Sequence, residues 1–338
     1  MKNIIIGAGF SACITKSLMR ENSKIIGSSN TDYIKGYIRR KNLEFNKLYQ
    51  KKTYSFGSLE YKLDKATFQD RVVLGGNSDI WGGKINLKYI PKKILNFLKK
   101  KIIFKKLSFR ETGTISNKKD IHQMQNKKGK IITSSDFSYK ITNDHLIDFK
   151  VKNKKLFLNF TNRKIITKNV FLCVGVIQLL DLLYRSNFLK ENDIIELSEF
   201  KSDFKLKTIY SKMNNNFTIQ RFIFSRAIGH YFGIQYFAKY LKLLNFIPLC
   251  IDQNFYTKKN KIKLRVKNGI IINNYSKNNE IFGKSTHFCH LKINKIDINK
   301  FLSKISPGLK GIGMAFINQK VPGPISNDII LDSFKKIT

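Results

Sequence analysis

The chain has 338 residues, 42% of them hydrophobic and 25% charged, a balance that gives a sizeable core and excludes extended disorder and fibrous classes. Lys and Arg outnumber Asp and Glu by 63 to 23, a formal net charge of +40. That excess reads first as a lysine-rich bias spread over the surfaces, because no segment gathers Lys and Arg with aromatics into a nucleic-acid footprint. The length suits two domains, or one large domain with insertions. No apolar run reaches the roughly 18 residues of a membrane span. The opening residues are apolar too briefly for a signal peptide. Cys13, Cys173, Cys250 and Cys289 are scattered without a CxxC pair, which argues against a zinc site or a disulfide framework and suits the cytoplasm.

In chain order, Asn3 to Ile6 reads as a buried strand, Gly7 to Ala12 as a tight turn, Ser11 to Asn22 as a helix and Lys24 to Gly27 as a second strand. Arg71 to Leu74 is a further apolar strand that runs into a glycine cluster. Residues 92–135 are rich in lysine and are expected to form an exposed insertion. FSYKIT, HLIDFKV and KLFLNFT alternate apolar and polar residues between polar turns, the pattern of a β-meander with one wet face. NVFLCVG reads as a fully buried strand. The helix after it presents Ile177, Leu179, Leu180, Leu182 and Leu183 to a core. Residues 188–285 are a second, mixed region. Asn327 to Ser333 is expected to be a late strand.

Gly7-Ala8-Gly9-Phe10-Ser11-Ala12 has the form GxGxxA between a strand and a helix. Gly7 permits the tight turn, Gly9 lets a pyrophosphate approach the backbone, and Ala12 lets the helix pack close on the strand. The N–H groups at the start of the helix, including that of Ser11, then face the phosphates. The carboxylate that commonly holds an adenosine ribose about 20 residues further on is replaced by Gly27, Ser28 and Ser29. Ser28 is the candidate for that hydrogen bond. The second cluster, Gly75-Gly76-Asn77-Ser78-Asp79-Ile80-Trp81-Gly82-Gly83, sets two glycine pairs around Ser78 and the only tryptophan. Paired glycines let backbone pass close to a large flat ligand.

GGxSxxWGG after a dinucleotide turn resembles the glucose–methanol–choline flavoprotein oxidoreductases, in particular their pyranose-oxidase-like and bacterial surface-polysaccharide branches. Asn169 to Leu183 resembles the family's strand and helix around Gly175, and Asn327 to Ser333 its late strand ending in Asp-Ser. The resemblance implies an α/β, Rossmann-like FAD-binding domain with a β-meander. That domain would be built from residues 1–187 and 286–338, with an inserted α+β substrate region at 188–285. It implies FAD held by Gly7, Gly9, Ser11, Ala12 and Ser28 at one end. Gly75, Gly76, Asn77, Ser78, Trp81 and Gly175 would lie beside the pyrophosphate and ring, and Asp332 and Ser333 near the ribityl chain. Ile80 stands where some members carry a histidine linked to the flavin, so the flavin is expected to be non-covalent. Six residues after Asp332 the sequence ends, before the family's last helix, so a short form, a fragment or a loss of part of the chemistry is expected.

Of the five histidines, His122 and His145 sit in polar segments, and His230 lies in an aromatic stretch that suits a pocket. His287 and His290 precede Asp332 at about the family's distance for its base, and are the candidates for a catalytic role. The implied reaction is oxidation of an alcohol on a small molecule or glycan, with hydride passing to the flavin and electrons to an acceptor. Two other readings remain open: a flavin or nucleotide binder without turnover that serves a partner, and a basic protein of nucleic-acid or anionic membrane surfaces. No metal site is expected.

Overall fold

The computed structural model describes residues 3–19, 23–27, 53–56, 58–62, 83–106, 121–130, 132–208, 249–273, 287–318 and 325–337. Five strands form an all-parallel sheet in the spatial order Leu309–Gly311, Val170–Leu172, Asn3–Ile6, Ser23–Gly27, Ile141–Asn143. The alternation of side chains along a strand explains why the first strand is apolar throughout. Ile4 and Ile6 pack with Val170, Leu172 and the helix Val176–Arg185 on one face. Ile5 packs with Ala12, Ile25 and Phe171 on the other. A parallel sheet covered on both faces needs such runs. The fold is therefore of the α/β class read from the sequence.

The first helix spans Phe10–Met19, starting one residue earlier than expected. Ala12 is completely buried against the sheet, the close approach that a small residue there allows. Between the fifth-order strand Ile141–Asn143 and the buried strand Val170–Leu172 lies the expected meander: Leu146–Lys152, Lys155–Phe160 and Lys164–Thr167, all antiparallel. The helix Val176–Arg185 buries all five of the aliphatic residues assigned to its core face. It is clamped at its far end. Asp181 accepts from the Ser58 N–H at 2.7 Å and from Arg185 at 2.8 Å, and Arg185 in turn donates to the carbonyls of Leu146 and Ile147.

A second sheet of seven strands is mostly antiparallel. Its longest pair joins Ile194–Thr208 to Leu249–Lys267, and its outer strands are His287–Ile293 with Ile296–Asp297 on one side and Ile270–Asn273, Leu59–Lys62 and Thr53–Phe56 on the other. Ile195, Leu197, Leu264, Val266, Leu291 and Ile293 from this sheet share one core with the helix Val176–Arg185.

Two expectations differ from the structure. The 92–135 stretch holds a helix, Lys92–Leu98, and strands Ile103–Lys106 and Ile121–Gln125; the second of these pairs with the first on one side and with Lys84–Asn86 on the other. Its lysines at 99, 100 and 101 face outward, but Ile94, Leu98 and Ile102, four residues apart, are buried with Met124 and Ile132 against the first helix. A helical stripe among lysines is enough to fold it onto the core. The segment from Asn327 to Ser333 is not a strand. It belongs to a helix, Ile325–Ile337, whose Ile329 and Ile330 join the same cluster. The late strand of the parallel sheet is instead Leu309–Gly311.

Candidate functional site

The chain order across the parallel sheet reverses at its first strand. Ser23–Gly27 lies on one side of Asn3–Ile6 and Val170–Leu172 on the other. In open α/β sheets the crevice beyond the carboxyl ends of two such strands is where nucleotides bind. The residues at that edge are Gly7, Ala8 and Gly9 after the first strand and Cys173, Val174 and Gly175 after its neighbour. Gly7 has φ +116°, and a Cβ there would stand 2.4 Å from the carbonyl oxygen of Cys173. Only glycine fits both the conformation and the space. The Gly7 N–H donates to Ile26 and the Cys173 N–H to Ile6, so three strand ends are fixed together.

Two helices begin at this edge, Phe10–Met19 and Val176–Arg185, the second with Gly175 as its N-cap. Neither carries an acid in its first turn, so nothing there repels an anionic ligand. The partial positive charge at a helix start favours phosphate oxygens. Gly9, Ser11 and Gly175 are partly exposed, while Ala12 is buried and acts only through packing. The structure thus brings together Gly7, Gly9, Ser11, Ala12 and Gly175. Ser28, Gly75, Gly76, Asn77, Ser78, Trp81 and His230 lie outside the described residues.

Asp332 and Ser333 take a different place from the one expected. Both are on the C-terminal helix, not at a strand end. The Ser333 hydroxyl is completely buried and donates to the Ile329 carbonyl one turn back. The Asp332 carboxylate pairs with Lys336 at 2.8 Å. Lys336 also donates to Asn299 at 2.7 Å and to the Gly311 carbonyl at 2.6 Å. Burial pushes the Lys336 amine below its usual range, and Asp332 draws it back up. The pair ties the C-terminal helix to the end of the last parallel strand. A regular helix hides this role from a reading based on local apolar runs.

One contributor to the edge was not singled out from the sequence. After Leu309–Gly311 the chain turns through Ile312 and Gly313, and the Ile312 N–H donates to Leu172. Gly313 has φ +132°, and a Cβ there would lie 3.3 Å from the Ser11 hydroxyl. The turn therefore passes directly over the start of the first helix. Its signal in the sequence is the Gly311-x-Gly313 spacing after a short strand.

Cys13 and Cys173 are both buried. Cys173 lies 3.6 Å from the Thr15 hydroxyl, and burial pushes its thiol up to about 12. It is a packing group at neutral pH, since the thiolate is the reactive form. Beside Gly27 at this edge, Asp144 follows Ile141–Asn143 and its N–H approaches the Gly27 carbonyl. Its carboxylate is fully buried and bonded to Arg163 at 2.6 Å. Burial alone pushes that carboxyl up. The bonds from Arg163 and from the N–H groups of His145 and Asn162 outweigh it and hold it below the usual carboxylate range. His145 beside it is pushed down by burial and by Arg185.

His287 opens the strand His287–Ile293, opposite Phe200. His290 lies in the same strand at a bulge, where two residues oppose Leu197, and has φ +50°. Its Nε2 is 3.0 Å from the Asp297 carboxylate, which also caps the helix Ile298–Ile305 by accepting from the Asn299 N–H. His122 pairs within the strand Ile121–Gln125, away from the sheet edge. Among the described residues no group of acids, histidines and cysteines is arranged to hold a metal ion, and no helix is long and apolar enough to cross a membrane.

No protein-family model matches the sequence, and no curated protein matches it. Among solved structures, the chain is similar to pyridoxine 4-oxidase from Mesorbium loti, at 8% identity and a TM-score of 0.47, over 99% of this chain and 98% of that one. It is also similar to a flavoprotein/dehydrogenase from Cytophaga hutchinsonii, at 8% identity and a TM-score of 0.30, over 99% and 75%. A bacillithiol disulfide reductase from Staphylococcus aureus matches at 12% identity and a TM-score of 0.22, over 52% and 38%. Superpositions of this degree assign no activity to the chain. The fold stands on the strand order of the sheet itself.

Proposed function

We propose that this chain is an FAD-dependent oxidoreductase that oxidises an alcohol group on a small molecule or glycan, a sugar or polyol in the first instance. The observation that carries the reading is the glycine turn Gly7 to Gly9 at the reversal point of a parallel sheet, with two acid-free helix starts aimed at one crevice. Gly7, Gly9 and Ser11 would hold the pyrophosphate from one side and Gly175 would face it from the other. Ala12 keeps the helix close enough for its N–H groups to reach. When bound, FAD supplies the hydride acceptor. The protein's part is to position the alcohol, exclude water and take the hydroxyl proton.

His287 is the candidate for that proton, accepting it on a neutral imidazole nitrogen, with a reference pKa near 6.5 suited to the task at neutral pH. Hydride leaves an alcohol carbon readily only as the hydroxyl proton is removed. Removing this base should cost about 10²–10⁴ in kcat/KM.

The deciding experiment is the visible absorbance of the purified protein, or of the protein after addition of FAD. A flavin spectrum that acid precipitation releases to the supernatant is expected. In Gly9→Val the added side chain fills the pyrophosphate's space and uptake should be lost. His287→Ala should keep the flavin and lose turnover. A Gly9→Val protein that binds FAD as well as the parent would overturn the assignment of the turn.

A further inference from the structure

A second site lies away from the glycine turn. His290, Lys292, Lys295, Ile296, Asp297, Lys300 and Lys304 line an open groove of about 590 Å³. The strand His287–Ile293 and the helix Ile298–Ile305 form its two walls, joined by the Asn294-Lys295 turn, both residues at positive φ. Lys300 and Lys304 are one helical turn apart, on the face opposite the buried Ile298 and Leu302. Asp297 is the groove's single acid. One of its oxygens is taken by the Asn299 N–H and the other faces His290. None of the four lysine amines has a carboxylate partner among the described residues.

The lysines alone would be unremarkable in a chain with so many. The backbone of His290 adds a second, independent observation. A non-glycine residue held at positive φ is strained, and such strain persists only where the surroundings fix it. Here the bulge turns the imidazole out of the strand's alternation and into the groove, against Asp297. The carboxylate orients the ring, and four lysines, from the strand, the turn and the helix, line the same groove. An ammonium is a compact point charge with three donors, suited to the oxygens of a multiply charged anion. Clustered cations without counterions raise the local potential, and an anion relieves it.

We propose that this groove binds the phosphate groups of a phosphorylated small molecule, gripped by Lys292 and Lys295 from the hairpin, Lys300 and Lys304 from the helix, and the Asp297-oriented His290. The site is independent of the flavin reading and holds if that reading fails.

The test follows the imidazole proton resonance of His290, assigned by its loss in His290→Gln, while inorganic pyrophosphate is added to the full-length protein. A local signal separates this groove from any pyrophosphate bound at the glycine turn. A saturable shift is expected, with Lys300→Gln/Lys304→Gln weakening the apparent affinity about tenfold or more through two lost charge-assisted contacts. The control, Lys150→Gln/Lys152→Gln, removes the same charge from exposed positions on the meander. It should change the affinity less than about twofold, the effect of screened long-range charge. Sodium acetate at matched ionic strength should give no saturable shift. An unsaturable shift, an equal shift with acetate, or equal weakening by the two double variants would reduce the groove to the general basicity of the chain and overturn the proposal.

Discussion

Gly27 ends the second parallel strand with no side chain, and the first glycine turn explains why. A Cβ at position 27 would stand 2.9 Å from the Gly7 carbonyl carbon. A carboxylate therefore has no room at that position, and the end of the crevice beside Gly27 is shaped by other residues. Asp144 stands beside Gly27, but its oxygens are committed to Arg163, His145 and Asn162. It serves as a tie between the sheet edge and the meander. Its folded pKa is depressed, so the stability it contributes is present above the ordinary carboxylate pKa and fades as pH falls through the folded value. Asp144→Asn should lower the denaturation midpoint clearly at pH 7. The gap between variant and parent should shrink as pH drops below about 4, because the parent then loses the same charge. A gap that stays constant between pH 7 and pH 3 would mean the tie does not depend on ionisation.

At the scale of elements, legibility follows how local the signal is. The strand, turn and helix from Asn3 to Gly27, the meander and the helix Val176–Arg185 each carry their own period and their own glycine. The strand Leu309–Gly311 is three residues with one lysine and carries no period; only its partners Val170 to Leu172 make it a strand. The C-terminal helix reads as a strand in the sequence because Ile329, Ile330 and Leu331 form a short apolar run that suits a strand equally well. What decides is tertiary. Asn327 is fully buried, and its amide donates to the Asn86 carbonyl at 2.7 Å and accepts from the Asn86 N–H at 2.9 Å. One side chain thus satisfies both backbone groups of a residue in the strand Lys84–Asn86. Asn327→Ala leaves a buried donor and acceptor unpaired, at a cost of about 1–3 kcal/mol each. A fall of about 2–5 kcal/mol in unfolding free energy is expected from denaturant titration. A loss below about 0.5 kcal/mol, the range of ordinary surface changes, would show that water replaces the amide.

At the scale of the whole molecule, the charge imbalance is the dominant fact. A formal charge of +40 repels itself in the compact state more than in the expanded one. The described acids are largely spent on internal ties such as Asp144 with Arg163, Asp181 with Arg185 and Asp332 with Lys336. Raising the salt shortens the screening length from about 10 Å at 0.1 M to about 3 Å at 1 M. The thermal midpoint should therefore rise with sodium chloride over that range. A midpoint that falls steadily would place the net weight on attractive pairs instead.

The order of strands across the parallel sheet also has a consequence in time. The first strand is synthesised well before its inner neighbour, Val170–Leu172, and before the edge strand Leu309–Gly311. At about 5–20 residues per second, Ile4, Ile5 and Ile6 wait on the order of ten to thirty seconds for that neighbour and longer for the edge. Through that interval the nascent chain carries an apolar strand with one unpaired side, the kind of segment that holdase chaperones bind and that associates between chains when they are absent. The same placement that puts a glycine turn at the centre of the sheet makes the crevice beyond that turn one of the last features of the molecule to close during its synthesis.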